Sequence, residues 1–291
     1  MTKIIWLASY PKSGNTWMRI LLANYLHESE QPVDINALTL TGIASSRLLF
    51  DEWAGVEASA LNLTTIERLR PEVYRCLARE ASEPIFMKVH DGWRRTDRGE
   101  SLFPTDVTAG VVYLLRNPLD VTVSCAHHLG IDIELQLEQL CDPNFGLPRV
   151  QGDVTDQIYQ HLGAWSDHVE SWIDRSDLPL CVVRYEDLRR DTVGVFDKVV
   201  RFCGLPYDEA RVRKAVAYSD FKELQRQEQE AGFRERPPTA SAQFFRRGKA
   251  GAWRDELGPE VAQRIIATHG AIMRRFGYLN EGTESQGRGS E

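Results

Sequence analysis

Residues 10–17 read YPKSGNTW and follow directly on the apolar run Ile4–Ser9. A helix that starts just after a buried strand presents free N–H groups and the positive end of its dipole, and together these bind anions. Within the stretch Gly14 lets the backbone approach an anion closely, Lys12 adds a charge and Thr16 a hydroxyl. That is the chemistry of a phosphate cradle. The common nucleotide loop, GxxxxGK[ST], places lysine after its second glycine and uses the final hydroxyl on magnesium, and it occurs nowhere in the chain. On these residues alone an ordinary strand-to-helix turn is an equally good reading. His127 and His128 look like a metal pair, but adjacent helical residues point apart, so they are read as structural or pocket-lining. No carboxylate or histidine cluster with ligand spacing accompanies the loop, so no metal is expected and activity should survive chelation.

The elements that must hold this loop follow from hydrophobic patterning. Ile4–Ser9 fits a buried parallel strand, and residues 15–27, with apolar residues at helical spacing, fit a helix. Further strands are expected at 84–90 (PIFMKVH), 110–116 (GVVYLLR) and 178–188 (LPLCVVRYEDL). Pro118 suits the first turn of a helix, and residues 191–204 form another that ends at a glycine cap, Gly204. Strands alternating with helices imply an α/β fold: a single domain, residues 1–279, with a mainly parallel central sheet covered on both faces. Residues 30–62 lack a clean period, and residues 226–251, with Pro237-Pro238, read as a long loop. Residues 280–291 are polar and read as a flexible tail.

The composition is that of an ordinary globular domain, with 26% charged and 42% apolar residues in 291. A net charge of −7 argues against nucleic acid as the partner, since such binding needs a basic field. The five cysteines are scattered without CxxC spacing, which points to reduced thiols in a cytoplasmic protein. No N-terminal signal pattern and no apolar run near the ~20 residues of a membrane span are visible, so no membrane partner is expected.

Three stretches in order give the chain a family likeness. YPKSGNTW (10–17), RNPLDVTVSCAHH (116–128) and RRGKAGAW (246–253) resemble the signatures of sulfotransferases that use 3′-phosphoadenosine 5′-phosphosulfate (PAPS) and release 3′-phosphoadenosine 5′-phosphate (PAP). The resemblance covers roughly residues 4–277. It implies that Lys12, Ser13, Gly14, Asn15 and Thr16 surround the 5′-phosphosulfate, and that Trp17 flanks the adenine. It further implies that Arg116 and Ser124 bind the 3′-phosphate while Arg246, Arg247 and Gly248 close over it. Tyr185, Ser219 and Phe221 fall at adenine-contacting positions. FMKVHDG (86–92) matches the family's catalytic segment, which makes His90 the base on a hydroxyl acceptor and Lys12 and Lys88 the stabilisers of the leaving phosphate. The competing reading is a nucleoside or metabolite kinase on a related fold, which predicts the Walker lysine and magnesium ligands that the loop lacks. A non-catalytic nucleotide-binding module is a third, one that would tolerate loss of Lys88 and His90.

The chain also departs from the pattern. Asn15 stands where threonine is common, with a hydrogen-bond donor retained, and Ala252 stands where aspartate is frequent. RDELGPEVAQRI (254–265) does not keep the dimer signature of the cytosolic animal members, and GPE reads as a helix start, so the oligomeric state stays open. By resemblance the acceptor loops are residues 30–62, 130–160 and 226–245. The first two hold eleven acids: Glu30, Asp34, Asp51, Glu52, Glu57, Asp132, Glu134, Glu138, Asp142, Asp153 and Asp156. Their bases are Arg47 and Arg149. If these carboxylates face the cleft, the acceptor is a small neutral or cationic molecule. Leu48, Leu49, Phe50, Trp53 and Phe145 would then supply apolar walls. A solvated outer face is an equally good reading of the same acids.

Overall fold

The computed structural model describes residues 3–279 except 28, 39–40 and 149–155; the tail expected at 280–291 lies outside the described residues. The chain begins with β1 (Ile4–Ser9) and α1 (Asn15–Leu26), followed by β2 (Thr41–Ile43), α2 (Arg47–Ala54) and α3 (Leu63–Glu80). Next come β3 (Ile85–Val89), β4 (Thr108–Leu115), α4 (Pro118–Leu129), α5 (Ile133–Cys141) and the short antiparallel pair β5 (Gly146–Leu147) and β6 (Gln160–His161). The last third holds α6 (Trp165–Ile173), β7 (Leu180–Arg184), α7 (Tyr185–Arg190), α8 (Thr192–Phe202), α9 (Glu209–Tyr218), α10 (Phe221–Ala231) and α11 (Pro259–Arg275).

Five parallel strands form one sheet in the order β2–β3–β1–β4–β7. The period of two divides β1 between two cores. Ile4, Trp6 and Ala8 enter one apolar cluster, and Ile5 and Leu7 enter the other, across the sheet. In β4, Val111, Tyr113 and Leu115 face the first and Val112 and Leu114 the second. Helices therefore cover both faces, as the alternation of elements implies.

Register then places the chemistry. Ala8 pairs with Val89 and Ser9 with Leu114, so β1, β3 and β4 end level with one another. The residues that follow these ends, Tyr10–Gly14, His90 and Arg116, meet above the sheet where the chain switches from one side of β1 to the other. That crevice, at the carboxyl ends of the strands, is where open α/β sheets bind ligands.

The expected strands at 84–90 and 110–116 and both early helices are present, and Pro118 takes the first turn of α4. Gly204 follows α8 with φ 65, the left-handed geometry of a helix stop. GPE does start a helix, with Pro259 in the first turn of α11. Two expectations need correction. The strand read across 178–188 stops at Arg184, and Tyr185–Arg190 turns into α7. The long loop read at 226–251 begins only after α10 ends at Ala231. Among the described residues no helix is long and apolar enough to cross a membrane.

Candidate active site

The loop after β1 is shaped by two left-handed residues. Lys12 has φ 66, unusual for a side-chain-bearing residue, and its carbonyl accepts from Arg116 Nη1 at 2.9 Å. Gly14 has φ 102, and a Cβ there would stand 2.9 Å from the Tyr185 ring, so only glycine lets α7 close against the cradle. Gly14 is also the N-cap of α1 and makes no side-chain cap, which leaves the first N–H groups of the helix for a ligand. Asn15 uses both of its amide hydrogens to staple the loop to β1, donating to Leu7 O at 2.7 Å and Ser9 Oγ at 3.2 Å. Its retained donor is thus spent inside the fold, and what Asn15 offers an anion is its backbone N–H.

A cavity of about 700 Å³ opens over this loop. Of the sixteen residues singled out from the sequence, fourteen line it: Lys12, Gly14, Asn15, Thr16, Trp17, Lys88, His90, Arg116, Ser124, Tyr185, Phe221, Arg246, Arg247 and Gly248. Ser13 and Ser219 are buried behind the wall. Ser219 accepts from Asn24 Nδ2 through its hydroxyl at 3.1 Å and from Trp17 Nε1 through its carbonyl at 2.9 Å, so it orients Trp17 rather than facing the cavity.

Trp17, Tyr185 and Phe221 bring three rings to one end, where Trp17 and Tyr185 meet edge-on at 6.1 Å and Arg116 lies 4.3 Å above Tyr185. Arg246 and Arg247 are drawn back to Asp255 and Glu256. Their loop is fixed by Asp120, whose buried carboxylate accepts from Gly251 N at 2.7 Å and Trp253 N at 3.0 Å.

His90 sits at the other end of the cradle. Its Nδ1 lies 2.8 Å from the Ser9 carbonyl, which can only accept, so Nδ1 carries the proton and Nε2 keeps the ring's lone pair. Burial, then Lys88, push its pKa down to about 3, so the ring is neutral at any working pH. Behind it the His90 carbonyl accepts from His168 Nε2 at 3.1 Å, and His168 Nδ1 accepts from the Tyr113 hydroxyl at 2.8 Å. Asp91, fully buried, is gripped by Arg70 at 2.7 Å and Arg94 at 3.0 Å. Trp172 Nε1 holds the Asp91 carbonyl at 2.9 Å. His90 is therefore held by four elements: β3, α3, β4 and α6.

Glu235, which the sequence did not flag, reaches over the same floor. It pairs with Arg19, with Lys88 at 3.3 Å, and accepts from Thr16 Oγ1 at 3.2 Å. Burial raises its pKa, but Lys88 and Arg19 outweigh that and hold it at about 2. Burial pushes the Lys88 ammonium down, and Glu235 opposes the shift. Lys12 meets the face of Phe244, 3.4 Å from the ring centre, and burial brings its pKa down to about 7. Phe244 was also missed; neither residue carries a spacing signal.

The acidic-loop expectation does not hold. Of its ten described acids only Asp156 lines the cavity, while Asp153 and Arg149 lie outside the described residues. Asp51 pairs with Arg47, Glu134 with Arg264 and Glu30 with Lys214, all away from the cavity. Of the expected apolar walls only Phe145 is present; Phe50 is core and Leu48 is 78% exposed. His127 bonds Ser241 and Glu256, while His128 lines the cavity.

The sulfotransferase domain model matches residues 2–277. The chain belongs to the sulfotransferase family. Human "Sulfotransferase 2B1" is 26% identical over 277 residues, covering 93% of this sulfotransferase chain, which spans only 66% of that protein's length. "Cytosolic sulfotransferase 12" of Arabidopsis thaliana is 24% identical over 275 residues, 90% of this chain and 74% of that one. Among solved structures, mouse sulfotransferase SULT7A1 complexed with PAP superposes with TM-score 0.57 at 17% identity, covering 94% of this chain and 85% of that one. Retinol dehydratase with retinol and PAP superposes at 0.59 and 20% identity, covering 93% and 81%. These two establish the shared fold.

Proposed function

We propose that this sulfotransferase moves the sulfuryl group of PAPS to a hydroxyl of a small acceptor, with His90 as the base. The observation that carries the reading is the union in one cavity of the open N-terminus of α1 with a histidine whose Nε2 lone pair is fixed by the Ser9 carbonyl. The residues present fit PAPS. Gly14 and Gly248 clear space that a Cβ would fill, Cβ atoms there approaching the Tyr185 and Phe221 rings to 2.9 and 2.5 Å. Arg116 Nε is buried without a partner. Lys12, Thr16 and the N–H groups opening α1 would hold the 5′ end, with Ser13 shaping the turn. Arg116, Ser124, Arg246, Arg247 and Gly248 would hold the 3′-phosphate, and Trp17, Tyr185 and Phe221 the base.

Bound PAPS supplies a sulfur whose bond to the 5′-phosphate oxygen breaks as the acceptor oxygen attacks. His90 takes the acceptor's proton on Nε2. Lys12, Lys88 and the α1 N–H groups meet the negative charge that grows on the departing phosphate oxygen, in a floor where burial strengthens each contact. Glu235 opposes the loss of the Lys88 proton that burial favours.

Thermal shift with PAP against ATP plus magnesium, on the wild type and His90→Ala, tests the reading. PAP at about 100 times its Kd should stabilise both proteins by ~2.7 kcal/mol. PAPS turnover should fall roughly 10²–10⁴-fold in His90→Ala alone. Selective stabilisation by ATP with magnesium would transfer the protein to the kinase alternative. Near-normal turnover of His90→Ala would remove the histidine from the mechanism.

A further inference from the structure

Buried polar atoms without a partner are rare in folded proteins, and each one calls for water or a ligand. Eleven side-chain atoms of this kind occur among the described residues, and six of them belong to residues lining the one large cavity. Asn15 and Arg116 lie on the donor side. The other four, Tyr10 Oη, His128 Nδ1, Gln136 Oε1 and Gln160 Oε1, come from the β1 loop, α4, α5 and β6.

The two glutamines are the informative pair. Gln136 is 1% exposed and Gln160 is 2% exposed, yet both face the cavity. The Gln160 amide is oriented by its neighbours: Nε2 donates to Gln157 Oε1 at 2.9 Å, and that oxygen also accepts from Ser45 Oγ at 3.0 Å. Its own Oε1 is left without a partner, in a residue that lines the cavity. A carboxamide oxygen can only accept, so its partner must bring an O–H or N–H. The same wall carries Leu129, Phe145 and Leu147, apolar surface that a wholly polar guest would leave unmatched. Of the acids lining the cavity, Glu235 is committed to Arg19 and Lys88 and Asp120 to two backbone N–H groups, while Asp156, like the lining Arg234, is exposed. A cationic guest would therefore meet no buried, uncommitted acid in this cavity, and the under-paired cations, Lys12 and Arg116, belong to the donor end.

We infer that the acceptor is a neutral molecule with an apolar frame that carries, besides the hydroxyl to be sulfated, a second O–H or N–H donor bound by Gln136 and Gln160. The inference rests on the sulfuryl-transfer reading above. It names the glutamines as specificity residues: a guest without the second donor leaves their oxygens dry and unpaired, and binds more weakly for that reason.

The test is calorimetric titration of matched phenols into the protein saturated with PAP. The probes are 4-ethyl-, 4-propyl-, 4-butyl-, 4-pentyl- and 4-hexylphenol, each against the same phenol with a terminal hydroxyl on its chain. At least one hydroxylated member should bind roughly 5- to 100-fold tighter than its parent. Gln136→Met and Gln160→Met should each shrink that ratio while PAP affinity stays within about twofold of wild type, a check that the fold is intact. Equal binding within every pair would overturn the inference, as would a preference that survives in both variants. Failure of PAP itself to bind would overturn the donor reading, and this one with it.

Discussion

Behind His90, Arg70 and Asp91 are sealed from solvent, and their charges are used up. Arg70 donates twice to Asp91 and once to the Tyr74 hydroxyl at 3.0 Å, while Asp91 also receives Arg94 and the His161 N–H. In front of His90 the cations are held differently. Arg116 donates to two carbonyls, Lys12 O and Lys249 O, and leaves Nε bare. Lys12 faces a ring and, among the described residues, no carboxylate at ion-pair distance. The two sides thus serve two ends. Satisfied charges fix a strand end, and under-satisfied ones keep part of their bonding capacity for an anion.

The sharpest way to break this contrast is to remove one acid from each side and compare stability. Asp91→Asn leaves Arg70 charged in a sealed site and should cost ~3–5 kcal/mol in urea unfolding at pH 7. Glu235→Gln leaves Lys88 beside a cavity that water can enter and Arg19 with its bond to Thr41, and the lost carboxylate is 28% exposed, so screening reduces the loss to ~1 kcal/mol. Equal costs would mean that the two clusters are the same kind of structural pair.

Arg116→Ala sharpens the comparison from the ligand side. A charge-assisted contact to phosphate contributes ~1.5–3 kcal/mol, so the preference for PAP over AMP should fall at least ~10-fold in calorimetric titrations, with little change in the unfolding midpoint. If affinity for both nucleotides fell equally, Arg116 would be shaping the Lys12 turn through its 2.9 Å bond and not reading the 3′-phosphate.

The front side was the more legible in sequence, for a physical reason. A phosphate cradle is built from consecutive residues, because its donors are backbone N–H groups at the start of a helix, so it survives as a string such as YPKSGNTW. Residues 116–128 and 246–253 are likewise contiguous. The supports of His90 are single residues whose meaning comes only from packing. Arg70 and Tyr74 lie on α3, whose interior Pro71 argues locally against a helix there. Glu235 sits among prolines with no periodicity around it. Gln136 and Gln160 reach one cavity from α5 and β6 by the fold alone. At 178–188 the apolar run continues through Val183, Tyr185 and Leu188 while the backbone turns from strand to helix after Arg184, a change that short runs do not reveal. The acids of the outer loops misled because charge can be counted in a sequence but the side on which it lies cannot.

Lys12 gives the smallest effect and the most direct one. Burial has brought its pKa to about 7, so near neutrality about half the molecules carry a neutral amine there. An anion at the cradle favours the charged form and raises that value. Below pH 7 the ammonium is already present and PAP binding gains nothing further from protons. Between pH 7 and the raised value, binding must take up to one proton, and affinity should fall by at most about tenfold per pH unit. At pH 8 the nucleotide's phosphates, with a second pKa of about 6, are already ionised, so uptake comes from the protein. Titrating PAP at pH 8 in HEPES and in Tris, whose ionisation enthalpies differ, should therefore give different apparent binding enthalpies, and at pH 6 Lys12 should add nothing to the difference. Lys12→Arg, charged throughout, should bind PAP without the uptake at pH 8. If wild type shows no buffer dependence at pH 8, Lys12 is already an ammonium without its ligand, and the Phe244 face satisfies the charge as fully as Asp91 satisfies Arg70.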